Sequence, residues 1–189
     1  MLNTVIRKAE KEYNGKAKYV VVCGSHSYGM QSAHDDDYLV VLDCDNFHSA
    51  LYKEEGEDVF VYSSHVFTDV LQFKLKQSVG LHAYLACYMA KEKKKNCLLG
   101  DMSKLDYDFD AYLTSALLEA IDRCDKKKYK WIYHSYALLY ILQNKSADFT
   151  EEQLQMMDRC KALEVTETEI YELKLALEEQ LRITQNRQL

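Results

Sequence analysis

The chain has 189 residues, of which 48% are apolar and 29% charged, a balance that excludes disorder and fits one domain of ordinary size or a domain with a helical appendage. Average usage of about 5% predicts roughly nine prolines, and there are none, so no helix is stopped or kinked by one. The formal charge of -6 argues against a general binder of the phosphate backbone, and no general DNA-backbone binding is expected.

Leu2 to Tyr13 is charged and amphipathic, which predicts a covering helix and not a basic-then-apolar signal peptide. The run Tyr19-Val20-Val21-Val22-Cys23 is short, β-branched and ended by Gly24, so it reads as a buried strand. A second strand is expected at Tyr38-Leu39-Val40-Val41-Leu42 and a third at Val59-Phe60-Val61-Tyr62. Between them, Asn46 can cap a short helix from Phe47 to about Glu55, and the fifteen residues between Leu42 and Asp58 suffice for either a helical crossover or a broad antiparallel excursion. The predicted sheet is therefore small and mixed, with about three strands.

After Tyr62 the pattern turns helical. Ser63 or Ser64 can cap a helix carrying Phe67, Val70, Leu71 and Leu75, and Tyr84, Leu85, Tyr88 and Met89 form the next apolar stripe. Lys91 to Lys95 reads as a solvated helix end, with Gly100 closing the linker. Further helices are expected from about Asp110 to Cys124 and from about Lys127 to Gln143. Two capping boxes follow, Thr150 with Gln153 and Thr166 with Glu169, and the second opens a helix with Ile170, Leu173, Leu177 and Leu181 on one face. The fold class is α+β.

No stretch approaches the ~18 consecutive apolar residues of a membrane span, so no membrane partner is expected. Six cysteines without a Cys-x-x-Cys pair read as free thiols in a cytoplasmic protein. His26 and His34 have no second ligand at metal spacing, which argues against zinc.

The stretch Gly24-Ser25-His26-Ser27-Tyr28-Gly29 through Asp35-Asp36-Asp37-Tyr38 carries most of the chemistry. A strand ends, and Gly24-Ser25 turns into a short helix, leaving backbone N–H groups and a hydroxyl for a phosphate. On the next strand alternate residues share a side, so Asp35 and Asp37 point together and Asp36 away. Two carboxylates on one side suit Mg2+, a hard cation whose shell phosphate oxygens can complete. A third carboxylate is needed to hold metal ions at a reacting phosphorus. Asp58, at the edge of the third strand, is best placed for it, with Glu57 and Asp43 as weaker choices. Lys127, Lys130 and His134 fall within about 60° of one another at 100° per residue, and could meet a triphosphate or an RNA backbone.

Gly24-Ser25, Tyr28-Gly29 and Asp35-x-Asp37 leading into an apolar strand resemble the signature of the DNA polymerase β type nucleotidyltransferase superfamily. Within it the chain is most similar to the RNA-repair-associated, RlaP-like predicted nucleotidyltransferases of bacteria and phages. Asp58 to Tyr62 followed by His65-Val66-Phe67 resembles that family's acidic third strand and next helix, and Lys130 to Leu139 its Tyr-His helix. Two departures stand out: His26 replaces an arginine, and no arginine follows the acidic triplet. The loop before the triplet is also one residue short, and a frame without that deletion would put Asp36 and Tyr38 in the two acidic positions.

The resemblance implies a nucleotidyltransferase-like core over residues 1–100 with a helical region over 101–189 packed on it. It implies Mg2+-dependent transfer of a nucleoside monophosphate from an NTP, with ATP preferred, to a hydroxyl on RNA, protein or a small molecule. Gly24 and Ser25 would hold phosphates, with Lys127, Lys130 and His134 as further nucleotide contacts. Asp35, Asp37 and Asp58 would be both metal ligands and catalytic residues. The alternative is a catalytically silent binding protein of the same fold, such as a phage-encoded inhibitor of a host defence system acting in the host cytoplasm.

Overall fold

The computed structural model describes residues 2–30, 37–74, 80–93, 96–127 and 131–187. Its elements in chain order are α1 (Leu2–Tyr13), β1 (Lys16–Cys23), α2 (Ser25–Tyr28), β2 (Asp37–Asp43), β3 (Ser49–Glu54), β4 (Glu57–Ser63), α3 (Ser64–Leu71), α4 (Gly80–Lys93), β5 (Cys97–Leu99), α5 (Leu113–Asp125), α6 (Tyr133–Asn144), α7 (Glu151–Lys161) and α8 (Glu167–Arg187). The five strands lie in the order β3-β4-β2-β1-β5. β2 and β4 are parallel, and the other neighbours are antiparallel, which makes the sheet mixed. The α+β class stands as expected, but with five strands instead of about three.

One added strand corrects a predicted helix. The segment expected to be helical from Phe47 to Glu55 instead forms β3, whose six residues alternate between exposed and half-buried against β4. Glu55 and Gly56 link the two strands with φ of 52° and 96°. A two-residue loop with both φ values positive matches the right-handed twist of its flanking strands and draws them into a hairpin. Ser-Ala-Leu-Tyr-Lys-Glu has the period of two that a strand needs, and the Asn46 cap signal masked it. The other added strand, β5, has only three residues and rides on the edge of β1.

The sheet's two faces are covered unequally. On one face Val20, Tyr38, Val40, Leu42, Val59 and Val61 pack against Val5 and Ala9 of α1. On the other, Val21, Cys23, Leu39, Val41 and Tyr62 begin a hydrophobic cluster that runs through α3 to α8 and ends at Leu177. Helix α3 stops at Leu71, and Leu75, expected to extend it, lies outside the described residues.

Both predicted capping boxes are present. Thr150 Oγ1 accepts from the Gln153 N–H at 3.3 Å while Gln153 Oε1 accepts from the Thr150 N–H at 3.0 Å. Thr166 and Glu169 exchange the same pair of bonds. The fifth helix begins at Leu113 and the sixth at Tyr133, later than Asp110 and Lys127. Lys127 belongs to the turn after α5, in the left-handed region at φ 48°, so it lies on neither helix. All six cysteines are free. Among the described residues no helix is long and apolar enough to cross a membrane.

Candidate functional site

The register of three strands sets the site. Cys23, the last residue of β1, pairs with Asp37, the first of β2. On the other side β2 and β4 run parallel from the pair Tyr38 and Val59, which leaves Asp37 and Asp58 flanking one another one residue earlier. Adjacent strands lie about 4.8 Å apart. Residues alternate in face, so Asp37 shares the side of Leu39 and Val41, and Asp58 that of Phe60 and Tyr62. Both carboxylates therefore stand on the helix-rich face at one end of the sheet.

This register also places the residues of the two sequence frames on different faces. Tyr38 points to the opposite face and is buried beneath α1 with Val40 and Leu42. Asp37, one residue earlier, stands on the face of Asp58, and Tyr38 does not. Asp35 and Asp36 lie outside the described residues, as does Lys130. Glu57 is on the α1 side of its strand and next to neither carboxylate's face. Asp43 ends β2 at the far end of the sheet, opposite Lys16.

Gly24 holds φ 74° and ψ -150°, a backbone state from which side chains are largely excluded. A Cβ there would lie 2.8 Å from Asp37 Oδ2. The glycine thus gives both the turn into α2 and the room for the Asp37 carboxylate. Cys23 Sγ donates to the Asp37 carbonyl oxygen at 3.2 Å and fixes the start of β2. Burial and the Asp37 charge together push the Cys23 thiol well above its usual range, so it stays protonated.

Ser25 is buried, and its Oγ accepts a hydrogen bond from Lys161 Nζ at 2.9 Å. The sequence reading names Ser25 but not Lys161. The lysine is the last residue of α7, 136 positions away, and nothing local distinguishes it from any other basic residue ending a helix. Asp58 is held by Lys53 of β3, its direct cross-strand partner, with Nζ 3.0 Å from Oδ1.

Below the carboxylates lies a buried polar layer. Tyr28 Oη and His134 Nδ1 share a hydrogen bond of 2.8 Å. The His134 ring is 4.9 Å from that of His82, which meets Phe60 edge-on at 5.2 Å. Arg123 pairs with Glu119 at 2.7 Å, and Glu119 also accepts the Leu81 N–H at 2.8 Å, tying α5 to the start of α4. Burial, followed by the Arg123 charge, lowers the His82 pKa to about 4. Burial, then His82 and Arg123, pushes His134 well below the ordinary imidazole value. Both imidazoles are neutral at pH 7.

This placement changes two sequence expectations. His134 is 1% exposed and braces α2 through Tyr28, so it does not offer itself at a helix surface. Lys127 forms an ion pair with Glu167 of α8. Lys127 and His134 share no helix face, because the chain is not helical at Lys127, and Lys130 lies outside the described residues. The sequence signal for Tyr28 was its place before Gly29; His82 and Arg123 gave none beyond apolar helical periodicity.

A cavity of about 550 Å³ opens beside α2 and is lined by His26, Ser27, Gly29, Glu92, Asn96 and Asp148. Its two acidic walls make it a poor pocket for a polyphosphate. Among the described residues no group of three or more His, Cys, Asp or Glu side chains gathers to hold a metal ion. Asp37 and Asp58 are hard oxygen donors of the type Mg2+ takes, and Asp35, the other expected ligand, lies outside the described residues.

No family model matches the chain, and neither does any curated protein. Among solved structures it is similar to a nucleotidyltransferase-like protein from Exiguobacterium sibiricum 255-15, at 13% identity and a TM-score of 0.30, over 96% of this chain and 75% of that one. At that level the likeness leaves the functional reading to the strand register and the residues it brings together.

Proposed function

We propose that this chain is a Mg2+-dependent nucleotidyltransferase that moves a nucleoside monophosphate from an NTP, ATP foremost, to a hydroxyl on RNA, protein or a small molecule. The observation that carries the reading is the parallel register of β2 and β4, which puts Asp37 and Asp58 side by side on one face next to the Gly24-Ser25 turn. Ser25 and Lys161 stand on the turn side, a hydroxyl and an ammonium suited to the β and γ phosphates. Asp37 lies between that pair and Asp58. The order of groups across the sheet end follows the order of a reacting triphosphate: terminal phosphates, α-phosphorus, acceptor.

In the reaction the acceptor oxygen attacks the α-phosphorus and the bond from that phosphorus to the α,β-bridging oxygen breaks. Pyrophosphate leaves with the bond electrons. The hydroxyl proton passes to Asp58 or to water beside it. Mg2+, when held by Asp37 and Asp58, would supply charge neutralisation at the phosphates and a lower pKa for the attacking hydroxyl. The buried layer of Tyr28, His134 and His82 positions α2 and, through it, Ser25.

The test is incubation with each of the four α-labelled NTPs, Mg2+ and RNA or lysate, followed by separation of labelled products. Transfer of label by the native chain and its loss in Asp37→Ala is the expected result. Equal labelling by both, with a verified acceptor, overturns the reading. Stabilisation by Mg2+ and NTP without any labelling would define the catalytically silent binding protein instead.

A further inference from the structure

We propose that the cavity enclosed by α4, α5, α6 and α8 is a binding site for a small amphipathic anion, an aliphatic chain ended by a carboxylate, whose head meets Lys145 and Arg187. The inference is independent of the nucleotidyltransferase reading. It uses no residue of the Asp37 and Asp58 end of the sheet, nor of the histidine layer beneath it. Two observations carry it, one on the lining of the cavity and one on the polar groups at its mouth.

The cavity holds about 320 Å³, at the lower end of the range that small-molecule sites show. Leu85, Phe109, Leu138 and Ile141, all buried, make its floor, and half-buried Tyr88 and Ile183 stand as its walls. Tyr84 also lines it, but its hydroxyl donates to the Phe109 carbonyl at 3.0 Å, so it presents its ring. Such a floor takes an apolar body, because a polar group carried onto it would lose its hydration without gaining a partner.

The charged residues of the lining are all exposed: Asp110 ahead of α5, Lys145 just past α6 and Arg187 at the end of α8. Two cations thus face one acid, a positive excess on a chain whose formal charge is -6. Among the described residues the side chains of Lys145 and Arg187 form no ion pair or hydrogen bond, and Tyr88 Oη has no partner either. These donors are therefore open to a ligand. An anionic head stays hydrated at the mouth while its chain enters the floor, and a guanidinium can hold a carboxylate through two parallel bonds. Asp110 opposes a second negative charge, which favours a carboxylate over a phosphate monoester.

The experiment is isothermal titration calorimetry of the full chain with straight-chain carboxylates from hexanoate to dodecanoate, each below its micelle concentration, and with octanol as the uncharged match to octanoate. The native chain is compared with the double variant Lys145→Gln, Arg187→Gln and with Ile183→Trp, which fills the cavity from its wall. Saturable one-to-one binding is expected, with affinity rising about threefold to fourfold per added CH2 group until the cavity is full. Octanol and the double variant should each bind at least about tenfold more weakly than their counterparts, and Ile183→Trp should lose binding. No saturable binding of any carboxylate by the native chain, or affinity unchanged in the double variant or in Ile183→Trp, overturns the proposal. So does co-sedimentation with anionic vesicles without binding of the free carboxylates. Both cations are exposed, so the double variant is expected to keep the native circular dichroism; should it fail to fold, octanol and Ile183→Trp still decide the head and the place. A negative result leaves the nucleotidyltransferase reading intact, because label transfer tests that separately.

Discussion

The two faces of the sheet use the same strands for opposite ends. Beneath α1 the packing is mostly apolar, closed by Val5, Ala9, Val20, Val40, Leu42, Val59 and Val61, with Glu57 as a buried acidic residue at the start of β4. The other face buries His82, Arg123, His134 and Ser135 among its apolar residues. Every buried polar group there must find a partner or lose solvation energy, and several do: Ser135 Oγ donates to the Ala120 carbonyl and Arg123 to Glu119. One face is a stabilising layer, while the other trades some stability for a held arrangement of polar groups near Asp37 and Asp58. Substitutions matched across the sheet can break or sharpen this contrast.

The largest contrast is expected at adjacent residues of β4. Asp58→Asn should lower nucleotidyl transfer by at least about 100-fold, the scale of removing a general base or an aligned charge. Glu57→Gln, one residue away and on the α1 side, should leave labelling within about threefold of native. Equal losses would show that the face does not matter.

Next come Leu39→Ala and Leu42→Ala, both fully buried and on opposite faces. Each should cost about 2–5 kcal/mol in chemical denaturation. The difference lies in activity per folded molecule: Leu42→Ala should keep it, while Leu39→Ala, two residues after Asp37 on the site face, should lose it severalfold.

The pH response sharpens the contrast further. His82 is neutral in the fold, with its pKa held near 4 by burial and Arg123, and titrates near 6.5 when unfolded. Between those values the unfolded chain binds more protons, so stability is full above about pH 6.5 and falls as pH drops toward 4. At 1.36 kcal/mol per pKa unit the loss is about 3 kcal/mol as an upper figure. Denaturant titrations between pH 7 and 4.5 should show this slope in the native chain and a shallower one in His82→Phe. An unchanged slope in that variant would remove His82 as its source.

Two smaller effects complete the series. Lys161→Met should raise the KM for NTP about tenfold with little change in kcat, because its contact with Ser25 serves binding on the phosphate side. Thr150→Ala, remote from the site and opening α7, should cost about 1 kcal/mol through the lost cap and leave the KM as it was. If it raised the KM as Lys161→Met does, α7 would be acting as a whole and not through its final lysine.

Legibility in the sequence followed the range of the interactions. The strands Tyr19–Cys23, Tyr38–Leu42 and Val59–Tyr62 carry β-branched runs, and both capping boxes are four-residue signals; each was readable and each is present. β3 was misread because its alternation is short and Asn46 offers a competing local cap. Gly24, Ser25 and Asp37 could be grouped from the sequence because they follow one another across a single strand–turn–strand unit, and the structure places them together. Asp58 was readable as an acidic strand entrance, although its place beside Asp37 depends on parallel pairing, which no local pattern encodes. Lys161 reaches Ser25 across 136 residues and His82 meets His134 through helix packing, and the local sequences of Lys161, His82 and Arg123 look like those of ordinary helices. Lys127 and His134 were placed together only because a helix was expected to begin six residues too early.

The two-residue turn at Glu55 and Gly56 also has a bearing on how the chain folds. A hairpin closed over two residues forms locally and early, whereas the parallel pairing of β2 with β4 must enclose the whole excursion through β3. The hairpin's short closure is expected to set Lys53 opposite Asp58 before Asp37 arrives on the other side. The hairpin brings a positive charge to a strand edge about to receive a second carboxylate, and lessens the like-charge repulsion that would oppose docking. In that order of assembly, the lysine would offset part of the repulsion between Asp58 and the incoming Asp37.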